Sequence, residues 1–234
     1  MIIPFCLLSC ALVFGQEKVV LGATSTNLKL LYDALAPAYK DVGLEAEWKE
    51  FPGSRLLAEV QAGTLDAMVA ASGTMVKQFS DNYIGIGYGN DALGYSRLYM
   101  YVRAADKDKY KPDPKTWAGL SIGEIADVGP SPTFGFPKNV NGVKIVTAPT
   151  YESVLRMLDS GRTDFVVSTR GGVEKLIQDL GLKDRIVRID TPLLTVDYWH
   201  LVNKKYMDKI PALKQAIERH RQQIDEAVDK LVNR

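Results

Sequence analysis

Two stretches of the sequence that lie 98 residues apart share one pattern, and this repeat restricts the fold more than any other feature. In residues 56–69, spaced apolar residues lead to Gly63, and after two further residues Asp66 precedes an apolar run. Residues 154–167 repeat this order with Gly161 and Asp164. Each copy has the pattern of an amphipathic helix that ends at a left-handed Gly and is followed by a buried strand. The repeat predicts two similar α/β lobes, with chance similarity of two helix–strand turns as the alternative.

Short β-rich runs alternate with helical patterns along the rest of the chain. The first half predicts strands at 19–23, 44–51 and 66–71, and helices at 28–39 and from Ser54, as N-cap, to 61. The second half predicts strands at 120–123, 143–147 and 185–189, and helices at 151–160 and 172–180. This alternation is typical of an α/β fold with a largely parallel sheet.

Two segments, 88–103 and 190–198, connect the predicted lobes, so the chain crosses to the second lobe and then returns. After the return, a strand at 196–202 precedes one C-terminal helix that should pack on the first lobe. The apolar stripe of that helix consists of Leu213, Ile217, His220, Ile224, Ala227 and Leu231. We therefore predict one lobe from residues 16–91 with 191–234, and a second lobe from residues 92–190.

The first fifteen residues resemble a secretory leader. They carry no charge, and their apolar run is shorter than the about 20 residues that a membrane-spanning helix needs. Val13 and Gly15 are small enough for cleavage before Gln16, which predicts a signal peptide at residues 1–15. Both cysteines lie in this segment, so the mature chain would have no thiol and no disulfide. A lipid anchor at Cys10 is the weaker alternative, because the apolar run continues past it.

The charge balance argues against nucleic acid or an anionic membrane as the main partner. Lys and Arg number 29 and Asp and Glu 28, which leaves a formal net charge of +1, whereas such partners require a basic surface. The chain has only two histidines, His200 and His220, and lacks both the HExxH zinc motif and the Gly-x-Ser-x-Gly elbow. We therefore expect no cofactor, no metal and no catalytic residue.

The order of the motifs resembles the bacterial family 3 periplasmic solute-binding proteins, whose best-known members deliver amino acids to ABC transporters. The matching segments are the leader, AGTLDAMVAAS at 62–72, FSDNY at 79–83, YESVLRMLDSGRTDFVVS at 151–168 and YWHLVNKK at 198–205. The resemblance covers residues 18–217. It implies a two-lobed type II periplasmic binding protein fold, with sheets flanked by helices and a ligand cleft that closes by a hinge motion.

The resemblance also implies a function and a location. We expect a monomeric periplasmic protein that captures a small polar ligand, an amino acid or another small acid, and delivers it to an ABC permease. The alternatives are a ligand sensor for a receptor or sensor kinase, and a lyase or hydrolase on the same scaffold.

One departure from the family concerns the ligand. Amino-acid binders of this family carry an Arg shortly before the FSDNY segment, where its planar fork grips the substrate carboxylate. Residues 73–78 contain no Arg, and residues 167–170 contain no Asp to hold the ammonium group. Another ligand, or other cations in place of this Arg, would explain the difference.

Candidate binding residues follow from the loops after the strands, which should open into the cleft. Their hydroxyls and amides suit neutral or anionic groups, although Ser and Thr also cap helices. Arg170 or Arg55 would replace the missing cation, and Tyr88 and Tyr198 would stack on the ligand or pack in the hinge. The predicted ligand-binding residues are Thr24, Ser25, Arg55, Ser72, Gly73, Thr74, Tyr88, Ser131, Thr133, Ser168, Thr169, Arg170 and Tyr198.

Overall fold

The computed structural model describes residues 16–126 and 142–232. The predicted signal peptide and the Cys10 anchor lie outside these residues, so both stay predictions. Within the described ranges, no helix combines the length and the apolar character needed to cross a membrane.

The first part of the chain alternates strands and helices as predicted. Its elements are β1 (Glu17–Ala23), α1 (Lys29–Asp41), β2 (Leu44–Glu50), α2 (Gly53–Gln61), β3 (Ala67–Ala71), α3 (Gly73–Gln78) and β4 (Tyr83–Ile86). The prediction of Ser54 as N-cap is wrong, because α2 begins at Gly53 and Pro52 occupies the cap position. The fixed φ of proline already holds the chain extended at that point, so the helix starts directly after it.

The remaining elements follow the predicted order, with one difference at the C-terminus. They are β5 (Gly94–Arg103), β6 (Ser121–Ile125), β7 (Lys144–Ala148), α4 (Tyr151–Asp159), β8 (Phe165–Thr169), α5 (Arg170–Asp179), β9 (Ile186–Arg188), β10 (Leu194–Asn203), α6 (Ile210–Arg219) and α7 (Arg221–Val232). The single C-terminal helix expected from the sequence is two helices, which meet at His220. The ring of His220 contacts Asp41 of α1 at 3.2 Å instead of joining the apolar stripe. Both helices pack on α1, in the first part of the chain as predicted.

The strands form one continuous path in the order β2-β1-β3-β10-β5-β8-β6-β7, with β4 also paired to β10 and β9 to β5. Strands β1, β2 and β3 are parallel to one another, as are β6, β7 and β8. The long strands β5 and β10 lie antiparallel in the middle and pair with each other. The sheet thus has two halves of the same design, joined through two shared strands.

The sequence repeat is also a structural repeat. Gly63 and Gly161 both have left-handed backbone, with φ of 68° and 76°. Asp66 Oδ2 accepts a hydrogen bond from Val20 N at 2.8 Å, and Asp164 Oδ2 accepts one from Ser121 N at 2.7 Å. In each half, the Asp before the third strand therefore holds the neighbouring parallel strand.

The approach of helix to sheet is repeated in the same way. A Cβ atom on Gly22 of β1 would lie 2.7 Å from Leu56 of α2, and one on Gly123 of β6 would lie 3.3 Å from Val154 of α4. Leu56 and Val154 occupy the same position of the repeat. A residue without a side chain on the sheet lets each helix pack closely against it.

The buried clusters divide between the halves. Two clusters draw on residues 19–93 and 198–232, one on each face of the sheet. Two others draw on residues 98–196, including Trp117, whose ring centroid lies 4.6 Å from that of Phe165. Each half therefore has its own core, although the limits of the lobes given above stay a prediction.

A buried histidine lies where β10 pairs with β3. His200 is fully buried, at a point where the register between the two strands shifts. Its Nδ1 lies 3.4 Å from Val69 O, and its Nε2 lies 2.6 Å from the hydroxyl of Tyr39. Because a carbonyl only accepts, this geometry assigns the proton to Nδ1 and makes Nε2 the acceptor. Burial lowers the pKa of His200 from 6.5 to about 4, so the ring is neutral at pH 7.

Removing one of the repeated carboxylates should destabilise the protein. In Asp164→Ala, the part-buried Ser121 amide and the Tyr110 hydroxyl lose their acceptor, which should cost about 1–3 kcal/mol of unfolding free energy. The measurement is urea unfolding, with Asp33→Ala as control because Asp33 forms only an exposed pair with Lys29. That control should change stability by less than about 1 kcal/mol. Equal losses in the two variants would contradict a special role for Asp164.

Stability should depend on pH through His200. Its folded-state pKa of about 4 lies below the ordinary 6.5, so the unfolded chain binds an extra proton between these values. Stability is therefore fully present above pH 6.5 and falls as the pH falls towards 4, by about 3 kcal/mol from this residue. Urea unfolding at about pH 7 and about pH 4.5 should show a smaller loss in His200→Gln than in the parent. His220→Gln removes the other histidine and should lose as much stability at about pH 4.5 as the parent does. Equal losses of stability in all three proteins would contradict the role of His200.

Candidate ligand-binding site

A cavity of about 520 Å³ lies at the carboxyl ends of β1, β3 and β8, between the two halves of the sheet. Parallel strands end at one edge of a sheet, and residues just after those ends meet there. Six of the residues predicted from the sequence line this cavity: Thr24, Ser25, Ser72, Ser168, Thr169 and Tyr198. The reasoning from strand ends predicts the first five, and Tyr198 is predicted as an aromatic residue near the crossing between the lobes.

The two predicted cations lie elsewhere. Arg55 is exposed on α2, and its Nη2 lies 2.5 Å from Oε1 of Glu59. Arg170 Nε lies 3.3 Å from Glu174 Oε2. Neither side chain lines the cavity, since each pairs with the acidic residue one turn further along its own helix.

Other predicted residues also lie off the lining. Thr74 is exposed on α3, and Tyr88 is buried beneath Arg221 of α7, whose guanidinium lies 4.3 Å from the ring centroid. Gly73 does not line the cavity itself, but its amide binds a residue that does. Ser131 and Thr133 lie outside the described residues.

Sequence reasoning missed the remaining lining residues. Asn27, Tyr151, Lys175, Asp179 and Asp197 add polar groups. Gly171 also lines the cavity, and the apolar members are Leu28, Leu56, Leu57, Met68, Ala70, Ala71, Met75, Leu98, Val167, Leu176 and Leu231. Tyr151 begins the helix of the second repeat and could have been found there, whereas Asp197 reaches the cavity only through the strand pairing.

Two tyrosines give the cavity neutral hydroxyl groups. Burial raises the pKa of both Tyr151 and Tyr198 above the usual value of 10, so both are protonated at pH 7. The Tyr151 hydroxyl lies 3.5 Å from Ser168 Oγ. Each ring also offers an apolar face to a ligand.

Asp197 connects the shared strand β10 to the start of α3. Its Oδ1 accepts a hydrogen bond from Gly73 N at 2.9 Å, and its Oδ2 accepts one from Trp199 Nε1 at 2.6 Å. These two bonds fix the carboxylate at the cavity wall. No ion pair among the described residues includes Asp197.

The second half of the wall carries an ion pair. Lys175 Nζ lies 2.6 Å from Asp179 Oδ2, and both side chains are largely exposed. Leu176 lies between them in the chain, and Leu231 of α7 lines the same cavity, so helices from both halves border the same space. Helices α5 and α7 also contact each other directly.

Helix α7 packs against the segment where the chain crosses to the second half. The Tyr88 hydroxyl donates to Arg221 O at 3.4 Å, and a Cβ atom on Gly94 would lie 2.5 Å from Cγ1 of Val228. Gly94 begins β5, one of the two shared strands. The C-terminal helix therefore supports the crossing as well as the core.

No protein-family model matches the sequence, and no curated protein sequence matches it. Solved structures match over nearly the whole chain. An amino acid ABC transporter substrate-binding protein, AbpA from Streptococcus pneumoniae, bound to L-arginine, superposes with a TM-score of 0.70 at 17% identity and 93% coverage of both chains. The chain has the fold of the two-lobed periplasmic binding proteins. The resemblance found in the sequence is confirmed at the level of the fold.

Two further structures show other kinds of protein that have this fold. The ancestral amino acid-binding protein AncCDT-1, a precursor of cyclohexadienyl dehydratase, has a TM-score of 0.69 at 13% identity and covers 92% of this chain and 96% of its own. A double mutant of the BvgS VFT2 domain from Bordetella pertussis has a TM-score of 0.63 at 13% identity, with 92% of each chain covered. At such identities the likeness establishes the fold, and function has to be argued from the site.

A variant at Gly94 should test the packing of α7 against the start of β5. Gly94→Ala places a methyl group against Val228, which should cost about 1–3 kcal/mol of unfolding free energy. In a Val228→Ala background that space is open, so the penalty should be smaller, and a double-mutant cycle of urea unfolding measures the difference. The same penalty in both backgrounds would contradict the contact.

Proposed function

We propose that this protein is a periplasmic solute-binding protein that captures a small polar molecule between its two lobes and delivers it to an ABC permease. The observation that carries the proposal is the cavity of about 520 Å³ at the ends of β1, β3 and β8. Its size lies in the range of pockets that enclose small ligands. Its wall comes from both halves of the sheet, as capture between two lobes requires.

Binding would be linked to the relative position of the lobes. The halves are joined through β5 and β10, and a ligand that touches both walls favours the arrangement in which the walls are close. The permease would then recognise the closed form. We propose that the lobes consist of residues 16–91 with 191–234 and of residues 92–190, that residues 1–15 direct export, and that the protein acts as a monomer.

A binding protein fits the site better than an enzyme does. Among the described lining residues, Lys175 and Asp179 are paired with each other, and both oxygens of Asp197 already accept hydrogen bonds. General acid–base catalysis would need an acid or a base positioned to exchange a proton with the substrate. The described lining offers hydroxyls, apolar surface and a carboxylate held by two donors, and these groups hold a ligand without reacting with it.

A sensor that reports the closed form to a receptor is the second candidate. The fold match to the BvgS VFT2 domain is the observation that favours it. The two candidates share the binding step and differ in the partner. Reconstitution with the permease of the same cell would support transport, and ligand-dependent binding to a receptor would support sensing.

A thermal-shift screen tests the binding step. Amino acids, small carboxylates, polyamines, sugars and nucleosides are added to the purified protein, and a ligand present at a thousandfold excess over Kd should stabilise it by about 4 kcal/mol. Thr24→Trp should abolish the shift, because the indole would occupy the cavity that Thr24 lines. No shift with any class, for protein shown to be folded and ligand-free, would contradict the proposal.

The matched control is Thr26→Trp. Thr26 is exposed, lies outside the lining and bonds Glu50 of β2 at 2.9 Å. The same bulky side chain at this position should leave the thermal shift unchanged. Equal loss in both variants would indicate that the ligand binds elsewhere.

A further inference from the structure

The charges of the cavity wall point to a particular ligand class. The described lining contains two carboxylates, Asp179 and Asp197, and one cation, Lys175. Lys175 pairs with Asp179, whereas no cation among the described residues forms an ion pair with Asp197. A partly buried carboxylate next to a ligand cavity favours a positively charged group and disfavours an anion.

Asp197 is also oriented for this role. Gly73 N and Trp199 Nε1 each bind one carboxylate oxygen, from the start of α3 and from β10 itself. A carboxylate has about four lone-pair sites, so each oxygen keeps the capacity to accept a further bond. The two fixed donors hold the group in place, which lowers the entropic cost of binding a ligand to it.

The remaining residues of the wall indicate that the rest of the ligand is apolar. Side chains such as Met68, Met75, Leu98 and Val167 surround the space together with the rings of Tyr151 and Tyr198. The cations that could have held a carboxylate, Arg55 and Arg170, are engaged by Glu59 and Glu174 away from the cavity.

We propose that Asp197 binds the protonated amine of a ligand with an apolar body, and that the site does not require a carboxylate on that ligand. This inference rests on the proposed solute-binding function, and it replaces the small acids and amino acids expected from the sequence with amines as the ligand class. An ammonium group would donate to Asp197, and the alkyl or aromatic body would lie against the apolar wall.

Matched sets of three compounds test the ligand class on the unmodified protein. One set is pentylamine, norleucine and hexanoate, and the other is 2-phenylethylamine, phenylalanine and 3-phenylpropanoate. Within each set the body is the same, and only the amine or the carboxylate is removed. Calorimetric titration should show the amine binding more than about tenfold tighter than the acid, and the amino acid no tighter than the amine.

Variants of two carboxylates, one in the lining and one outside it, test the role of Asp197. Asp197→Asn should weaken amine binding by more than about tenfold, and the ratio of amine to acid affinity should fall. General damage to the fold would lower the affinities for the amine and for the acid alike, so their ratio would not change. Asp33→Asn is the matched control, because Asp33 lies on α1 outside the lining and pairs with Lys29, and it should change amine affinity by less than about threefold.

Contrary results separate this inference from the function on which it rests. Tighter binding of the acid, or an unchanged affinity ratio in Asp197→Asn, would overturn the amine proposal and leave solute binding intact. Binding of a sugar or nucleoside with no response to either set would do the same. No binding of any solute in the wider screen would overturn the proposed function itself.

Discussion

The antiparallel pairing of β5 with β10 is the interaction on which the arrangement of both halves depends. Residues 94–98 pair with residues 194–198, and each strand then continues into a different half. Beyond this segment, β5 pairs with β8 and β10 pairs with β3. These two neighbours bring Thr169 and Ser72 to the cavity, so the hydrogen bonds in the middle of the sheet set the distance between its walls.

Local sequence signals were enough to predict most of the architecture. The Gly and Asp of each repeat act within a few residues of the turn they form, and the structure has both turns. The lining hydroxyls at strand ends were predictable for the same reason, because parallel strands of a known order end at one edge. Helix continuity was not predictable at His220, since the apolar spacing of one helix and of two successive helices is alike.

The charged part of the site depends on contacts that sequence spacing describes poorly. Gly73 and Asp197 are 124 residues apart, and only the pairing of β10 with β3 brings them together. The ion pairs of Arg55 and Arg170 could have been predicted from the sequence. Glu59 and Glu174 each lie four residues after an Arg, the spacing at which helix side chains pair, and this local pairing competes with a ligand for the guanidinium.

The segregation of the cores also imposes an order on folding. The core of the second half comes from one continuous stretch of the chain, whereas the core of the first half needs residues from both ends of the chain. As the chain is synthesised, β1 to β4 appear first, yet β10, which separates β3 from β4, and the helices that cover α1 come last. Until β10 has been made, β3 lacks its partner on that edge, and an unpaired strand edge is prone to pair with other chains. The part of the protein made first is the last to be completed.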